Sequence, residues 1–233
     1  MPESSWHSDR TCRRSPAGRL PSRRLPVPEV PQLATSQHLD AEAIASAKQA
    51  IASLAAGRPV VIARREGELE VAALACRGVE ARAASINLMA GAGHSLIMVC
   101  LRPERLAALG LPAAAHEPGP GFPPATFSID AAAGGTGISA SDRALAIATA
   151  ADPEAQPDDL VVPGHVFPVA VPSRPPSSAE PAGLVEVAIE AARLATGIEA
   201  AALSPIIDSC GRPLDAAGAE EFAAAHDIRV LAG

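Results

Sequence analysis

From Asp40 onward apolar residues recur at steps of three and four: Ile44, Ala47, Ile51 and Leu54 share one helical face, with Asp40 as a capping residue before them and Gly57 as a stop behind. Arg58-Pro59-Val60-Val61-Ile62 then reads as a buried strand. A segment of mixed pattern, residues 68–75, leads to a short helix near 81–90 and an apolar run, 95–101, that suits a central strand. Pro103 opens a short helix that Gly110 stops. Five prolines and two glycines within 112–124 require a loop. A strand over 125–130 feeds Gly134-Gly135-Thr136-Gly137 and then Ser139-Ala140-Ser141-Asp142, a capping pattern that starts a helix running to about 151. Beyond it come a strand at 165–171, a loop at 172–181, a helix at 183–195 and a strand at 200–207. A turn at 208–211, a helix at 215–225 and a strand at 228–231 close the chain. Strands and helices are interleaved without a strict βαβ repeat, which favours an α+β or a mixed-sheet α/β domain.

Residues 1–35 differ from the rest. Arg, Pro and Ser dominate without periodicity, so a disordered tail is expected there and a folded domain over 36–233; the prolines spoil an amphipathic targeting helix. The 233 residues suffice to enclose a core, and with 48% hydrophobic and 19% charged residues the bulk of the chain lies on the folded side of the order–disorder divide. Aromatic residues are 2% and the formal net charge is −7, which leaves neither stacking platforms nor a basic face for nucleic acid. No apolar run is long enough to span a bilayer, and the four cysteines, Cys12, Cys76, Cys100 and Cys210, form no metal-binding spacing. A cytoplasmic protein with reduced thiols is expected, its partner a small molecule or another protein.

Three segments carry candidate chemistry. The glycine-rich loop at 134–137, ahead of a helix, suits either a tight turn or an anion cradle, because free N–H groups at a helix start carry partial positive charge. His165 lies in Pro163-Gly164-His165-Val166-Phe167-Pro168, held between two prolines at the mouth of a strand. It is a candidate acid or base, or else a hydrogen-bonded core histidine. Glu66, Glu68 and Glu70 follow the first strand and suit a hard cation such as magnesium, or simply a solvated loop beside Arg64 and Arg65.

Taken in order, Gly57-Arg58-Pro59-Val60-Val61-Ile62, Leu109-Gly110-Leu111-Pro112, Gly137-Ile138-Ser139-Ala140-Ser141-Asp142-Arg143, Pro157-Asp158-Asp159-Leu160 and Pro163-Gly164-His165-Val166-Phe167-Pro168 resemble the 3,4-dihydroxy-2-butanone 4-phosphate synthase family. The resemblance runs from about residue 44 to the C-terminus. It implies a single α+β domain, a homodimer with sites near the subunit interface, and a magnesium-dependent lyase of riboflavin biosynthesis. Such an enzyme converts ribulose 5-phosphate to 3,4-dihydroxy-2-butanone 4-phosphate and formate.

The same resemblance marks departures. Where the family carries R-E-N-E-G-D, Glu68 and Glu70 match the two glutamates but Gly67 stands for the arginine and Ala72 for the aspartate. Where it carries R-G-G-H-T-E-A, Leu184 takes the place of the metal-binding histidine and Val185 that of the threonine; the catalytic glutamate of the following strand falls at Pro205. Catalytic His165 and, as metal ligand, Glu68 are what the resemblance leaves. Three outcomes are open: a divergent synthase, a non-catalytic partner or regulator, and an enzyme for a different sugar phosphate-like substrate.

Overall fold

The computed structural model describes residues 41–66, 69–112, 126–171, 173 and 182–232. The tail expected over 1–35 and nearly all of the two proline-rich loops lie outside them. Helix α1 (Ala41–Ala55) leads into strands β1 (Val60–Glu66) and β2 (Leu69–Arg77), then α2 (Ala83–Leu88) and a π-helical turn, Met89–Gly93. Strand β3 (Met98–Leu101), α3 (Pro103–Ala108), β4 (Ile129–Ala131) and α4 (Ala140–Ala151) follow, and a short 3-10 turn precedes β5 (Leu160–Ala170). The chain closes with α5 (Leu184–Thr196), β6 (Ala200–Pro205), α6 (Ala216–Ala225) and β7 (Arg229–Ala232). All seven strands join one sheet in the order β4-β5-β3-β6-β2-β1-β7, with β3/β5 and β1/β7 parallel and the other pairs antiparallel. The mixed-sheet α+β expectation is met.

Alternation along the strands divides the core in two, as a period of two requires. Val61, Leu74, Val99, Leu101 and Ala202 point to the face covered by α2, α3, α4 and α6, where Ile86, Leu106, Ile147 and Ala219 meet them. Val60, Ile62, Ala73, Met98, Cys100 and Leu203 point to the other face, under Leu54 of α1 and Ile189 of α5. Because both faces are covered, the central strands carry no polar alternation. That explains β2: its run Ala72–Cys76 is buried throughout, and a segment of mixed appearance proves to be a nine-residue strand.

Other boundaries move for local reasons. The helix expected over 81–90 stops at Leu88 and continues as the π-helical turn, which contains Gly91 and Gly93. Strand β4 begins at Ile129 rather than 125, while β5 begins at Leu160, five residues before its expected start. Cys76 and Cys100 are free and buried. Burial pushes both thiols up to about 12. Among the described residues no helix is long and apolar enough to cross a membrane.

Candidate active site

The pairing of β4 with β5 is interrupted at one point. Ile129 faces Val166, whereas its neighbour Asp130 faces Val161, so Val162, Pro163, Gly164 and His165 bulge out opposite two consecutive residues of β4. Bulges re-aim side chains at sheet edges, and this one carries His165 onto Asp130. The His165 N–H donates to Asp130 Oδ1 at 3.0 Å, and His165 Nδ1 lies 2.8 Å from Asp130 Oδ2. The histidine side chain is 39% exposed and the aspartate 18%, so the carboxylate is covered while the ring keeps an open edge.

Two glycines make this geometry possible. A Cβ on Gly164 would lie 2.1 Å from the Ile129 carbonyl carbon and 2.3 Å from the Asp130 nitrogen, so only glycine lets the bulge rest on the β4 backbone. Its N–H donates to Ser128 O at 2.9 Å and also reaches Ser128 Oγ. Gly137 takes the left-handed conformation, φ +77°, and a Cβ there would meet Asp130 Oδ2 at 2.1 Å and His165 Nδ1 at 2.5 Å. Its backbone therefore roofs the Asp130–His165 contact.

The glycine-rich loop holds an anion of its own. Gly135 donates its N–H to Asp142 Oδ1 at 3.1 Å, while Ser139 caps α4 by accepting from the Asp142 N–H at 3.0 Å. The Gly135 N–H, then the Ser139 hydroxyl, with weaker help from the Gly137 and Ser139 backbone, hold the Asp142 carboxyl below the usual range. Of the two readings of this loop, the turn fits and the open cradle does not: Asp142 occupies the place an anion would take.

The other candidate residues lie elsewhere. Three strand spacings, roughly 14 Å, separate β5 from β2, and β1 lies one further out. Glu68, expected as the metal ligand, lies outside the described residues. Glu70 is engaged at both oxygens: Oε1 pairs with Arg65 at 3.2 Å, and Oε2 accepts the Ala216 N–H at the start of α6. Arg64 spends its guanidinium on the Ala182 carbonyl just before α5, at 2.6 and 3.1 Å. A cavity of about 210 Å³ lies among Ala63, Arg64, Arg65, Glu70 and Ala216.

Leu184, which the resemblance sets against the family's histidine, is only 8% exposed and packs from the first turn of α5 into the core. Ala72, which the resemblance sets against the family's aspartate, is fully buried on the opposite face of the sheet. Pro205 ends β6 opposite Ala73. Magnesium wants several oxygen ligands in near-octahedral order, and among the described residues no three of His, Cys, Asp or Glu gather to supply them. Magnesium commonly keeps several waters and takes one or two protein carboxylates, and Glu68, the expected one, lies outside the described residues.

Asp130 is the partner of His165 that the sequence does not single out. Its signal was a carboxylate at the end of a predicted strand, but its partner lies 35 positions later and meets it only through the bulge.

The match to known proteins agrees with this architecture. The family model described as 3,4-dihydroxy-2-butanone 4-phosphate synthase matches residues 48–233. A synthase of that name from Chromobacterium violaceum is 34% identical over 184 residues, 78% of this chain and 87% of its own length. A riboflavin biosynthesis protein from Aquifex aeolicus is 35% identical over 193 residues, 79% of this chain and 46% of its own length. The chain likewise spans half or less of the length of relatives from Pseudomonas, Synechocystis and Neisseria. Among solved structures, a 3,4-dihydroxy-2-butanone 4-phosphate synthase in complex with two magnesium ions superposes with a TM-score of 0.71 at 29% identity, covering 79% of this chain and 91% of that one. A two-domain synthase from A. baumannii gives 0.71 at 30% identity, over 80% of this chain and 55% of that one. The family model over residues 48–233, with a relative 34% identical over 87% of its own length, places this chain in the 3,4-dihydroxy-2-butanone 4-phosphate synthase family.

Proposed function

We propose that the chain keeps the family's fold and its acid–base histidine but does not by itself convert ribulose 5-phosphate to 3,4-dihydroxy-2-butanone 4-phosphate and formate. The observation that carries this reading is the fate of the phosphate- and metal-holding positions: Leu184 and Ala72 are packed into the core. Enolising and rearranging a ketose phosphate needs a Lewis acid or equivalent charge on the oxygens, acid–base groups on both sides and a seat for the phosphate. Groups that act as a unit do not leave a proportional share of the rate when several are missing.

In this reading the protein is a cytoplasmic non-catalytic partner or regulator that forms a homodimer or pairs with an intact member of the family. Phe127, Ile138, Val161 and Val162 support the pairing: all four are between 47% and 62% exposed, and they lie on β5 or on the segments either side of β4. Exposed apolar side chains mark contact surfaces where they are contiguous. A monomer in sedimentation at micromolar concentration would oppose it. The second reading is an enzyme for a different sugar phosphate-like substrate, favoured by the fully formed Asp130–His165 pair.

The deciding assay is formate release from ribulose 5-phosphate with magnesium. The wild type should release formate no faster than His165→Ala. Release well above background that vanishes in His165→Ala would overturn the non-catalytic reading; His165-dependent binding of another sugar phosphate, without formate, would favour the second.

A further inference from the structure

We infer that Asp130 is a positioning residue that fixes His165 in a single tautomer, with the proton on Nδ1 and a free lone pair on Nε2, before any ligand or metal arrives. The inference rests on the reading of His165 as the acid–base group. It follows from how the two carboxylate oxygens are divided. Oδ1 accepts from the His165 backbone N–H, a donor that cannot reverse its role. Oδ2 faces Nδ1 at 2.8 Å, and an ionised carboxylate can only accept, so Nδ1 must carry the hydrogen. The proton that a neutral imidazole possesses is then spoken for, and Nε2 is left as the base. When Nε2 takes a proton from a ligand, the ring becomes imidazolium and the charge is balanced by the Asp130 carboxylate already in contact with Nδ1.

The surroundings hold the pair in place from outside. Gly137 covers it so closely that a Cβ would overlap both partners, and Gly164 presses the bulge against Ile129 and Asp130. Ring and carboxylate are therefore constrained by backbone on two sides, and the arrangement does not wait for a ligand to assemble it.

Asp130→Asn tests this with nearly unchanged volume. The amide oxygen must stay on the His165 N–H, because that position needs an acceptor; the NH₂ group must then face Nδ1 and donate to it. The proton is forced to Nε2, and the base disappears although every hydrogen bond is preserved in number. The measurement is the nitrogen-15 resonance pair of His165 in the uniformly labelled full chain, assigned by its loss in His165→Ala and read at a pH where the ring is neutral.

The wild type is expected to show protonated Nδ1 and bare Nε2, and Asp130→Asn the reverse. The rate of carbethoxylation at Nε2 by diethyl pyrocarbonate should fall in parallel. A role limited to stability would leave the tautomer where it was. Wild-type protein with the proton on Nε2, or Asp130→Asn with it still on Nδ1, would overturn the inference; the wild-type result decides the matter even if the variant fails to fold. Formate release by the wild type would sink the non-catalytic reading and leave the tautomer assignment standing, so the two fail separately.

Discussion

Replacing Gly164 by alanine should be among the most damaging single-methyl additions available to this fold. The new Cβ would sit 2.1, 2.3 and 2.4 Å from Ile129 C, Asp130 N and Ile129 O, all backbone atoms that no rotamer change can clear. The bulge must lift from β4. Overpacking of this kind costs about 1–3 kcal/mol. Lifting also removes the Gly164 N–H bond to Ser128 O and strains the His165 N–H bond to Asp130 Oδ1, each worth about 1 kcal/mol or somewhat more when a charge is involved. The expected loss is about 3–5 kcal/mol, a large part of the roughly 5–15 kcal/mol that holds a domain folded. Urea denaturation read by circular dichroism measures it, with Gly91→Ala as control, since nothing lies within 4 Å of a Cβ there. If Gly164→Ala fell within about 1 kcal/mol of the wild type, the close seating of the bulge on β4, and with it the account of how His165 reaches Asp130, would be refuted.

Two further outcomes follow from single carboxylates. Asp142 has its folded-state value depressed by Gly135 and Ser139. Its contribution to stability is therefore complete above the ordinary aspartate value, about 4, and is lost as pH falls through the lower folded value; Asp142→Asn should flatten the acid limb of a stability-versus-pH curve, and an unchanged limb would contradict the assignment. Glu70→Gln should cost no more than about 1 kcal/mol, because its ion pair with Arg65 is largely exposed, and should leave magnesium titration by calorimetry unchanged. A marked fall in magnesium affinity would mean that Glu70 is a ligand.

How much of this was legible beforehand depended on the range of the interaction. Helix α4 was readable because its cap and first turn, Ser139 to Asp142, bond locally, and α1 because its apolar residues recur at helical spacing. Strand β2 was not: five consecutive small or apolar residues, Ala72–Cys76, show no period once both faces are buried. The π-helical turn after Leu88 kept the helical pattern of 81–90 while changing its geometry. His165 stood out by its two prolines, yet its partner did not, because no local rule joins residues 130 and 165; a bulge in strand register does. Glu70 looked like part of an acidic cluster and turned out to tie β2 to α6, a contact between residues 146 positions apart.

The burial of Ala72 and Leu184 on opposite faces of the sheet makes both positions costly places for a polar side chain. An aspartate at 72 or a histidine at 184 would enter close-packed apolar surroundings before any ligand was there to receive it, and an unpartnered polar group so placed costs about 1–3 kcal/mol, more if it is charged. Each step toward the family pattern is thus penalised by folding before it can be rewarded by chemistry. Substitutions made one at a time meet a one-way gate: the family constellation is reachable only by several changes made together, or on a scaffold first given surplus stability.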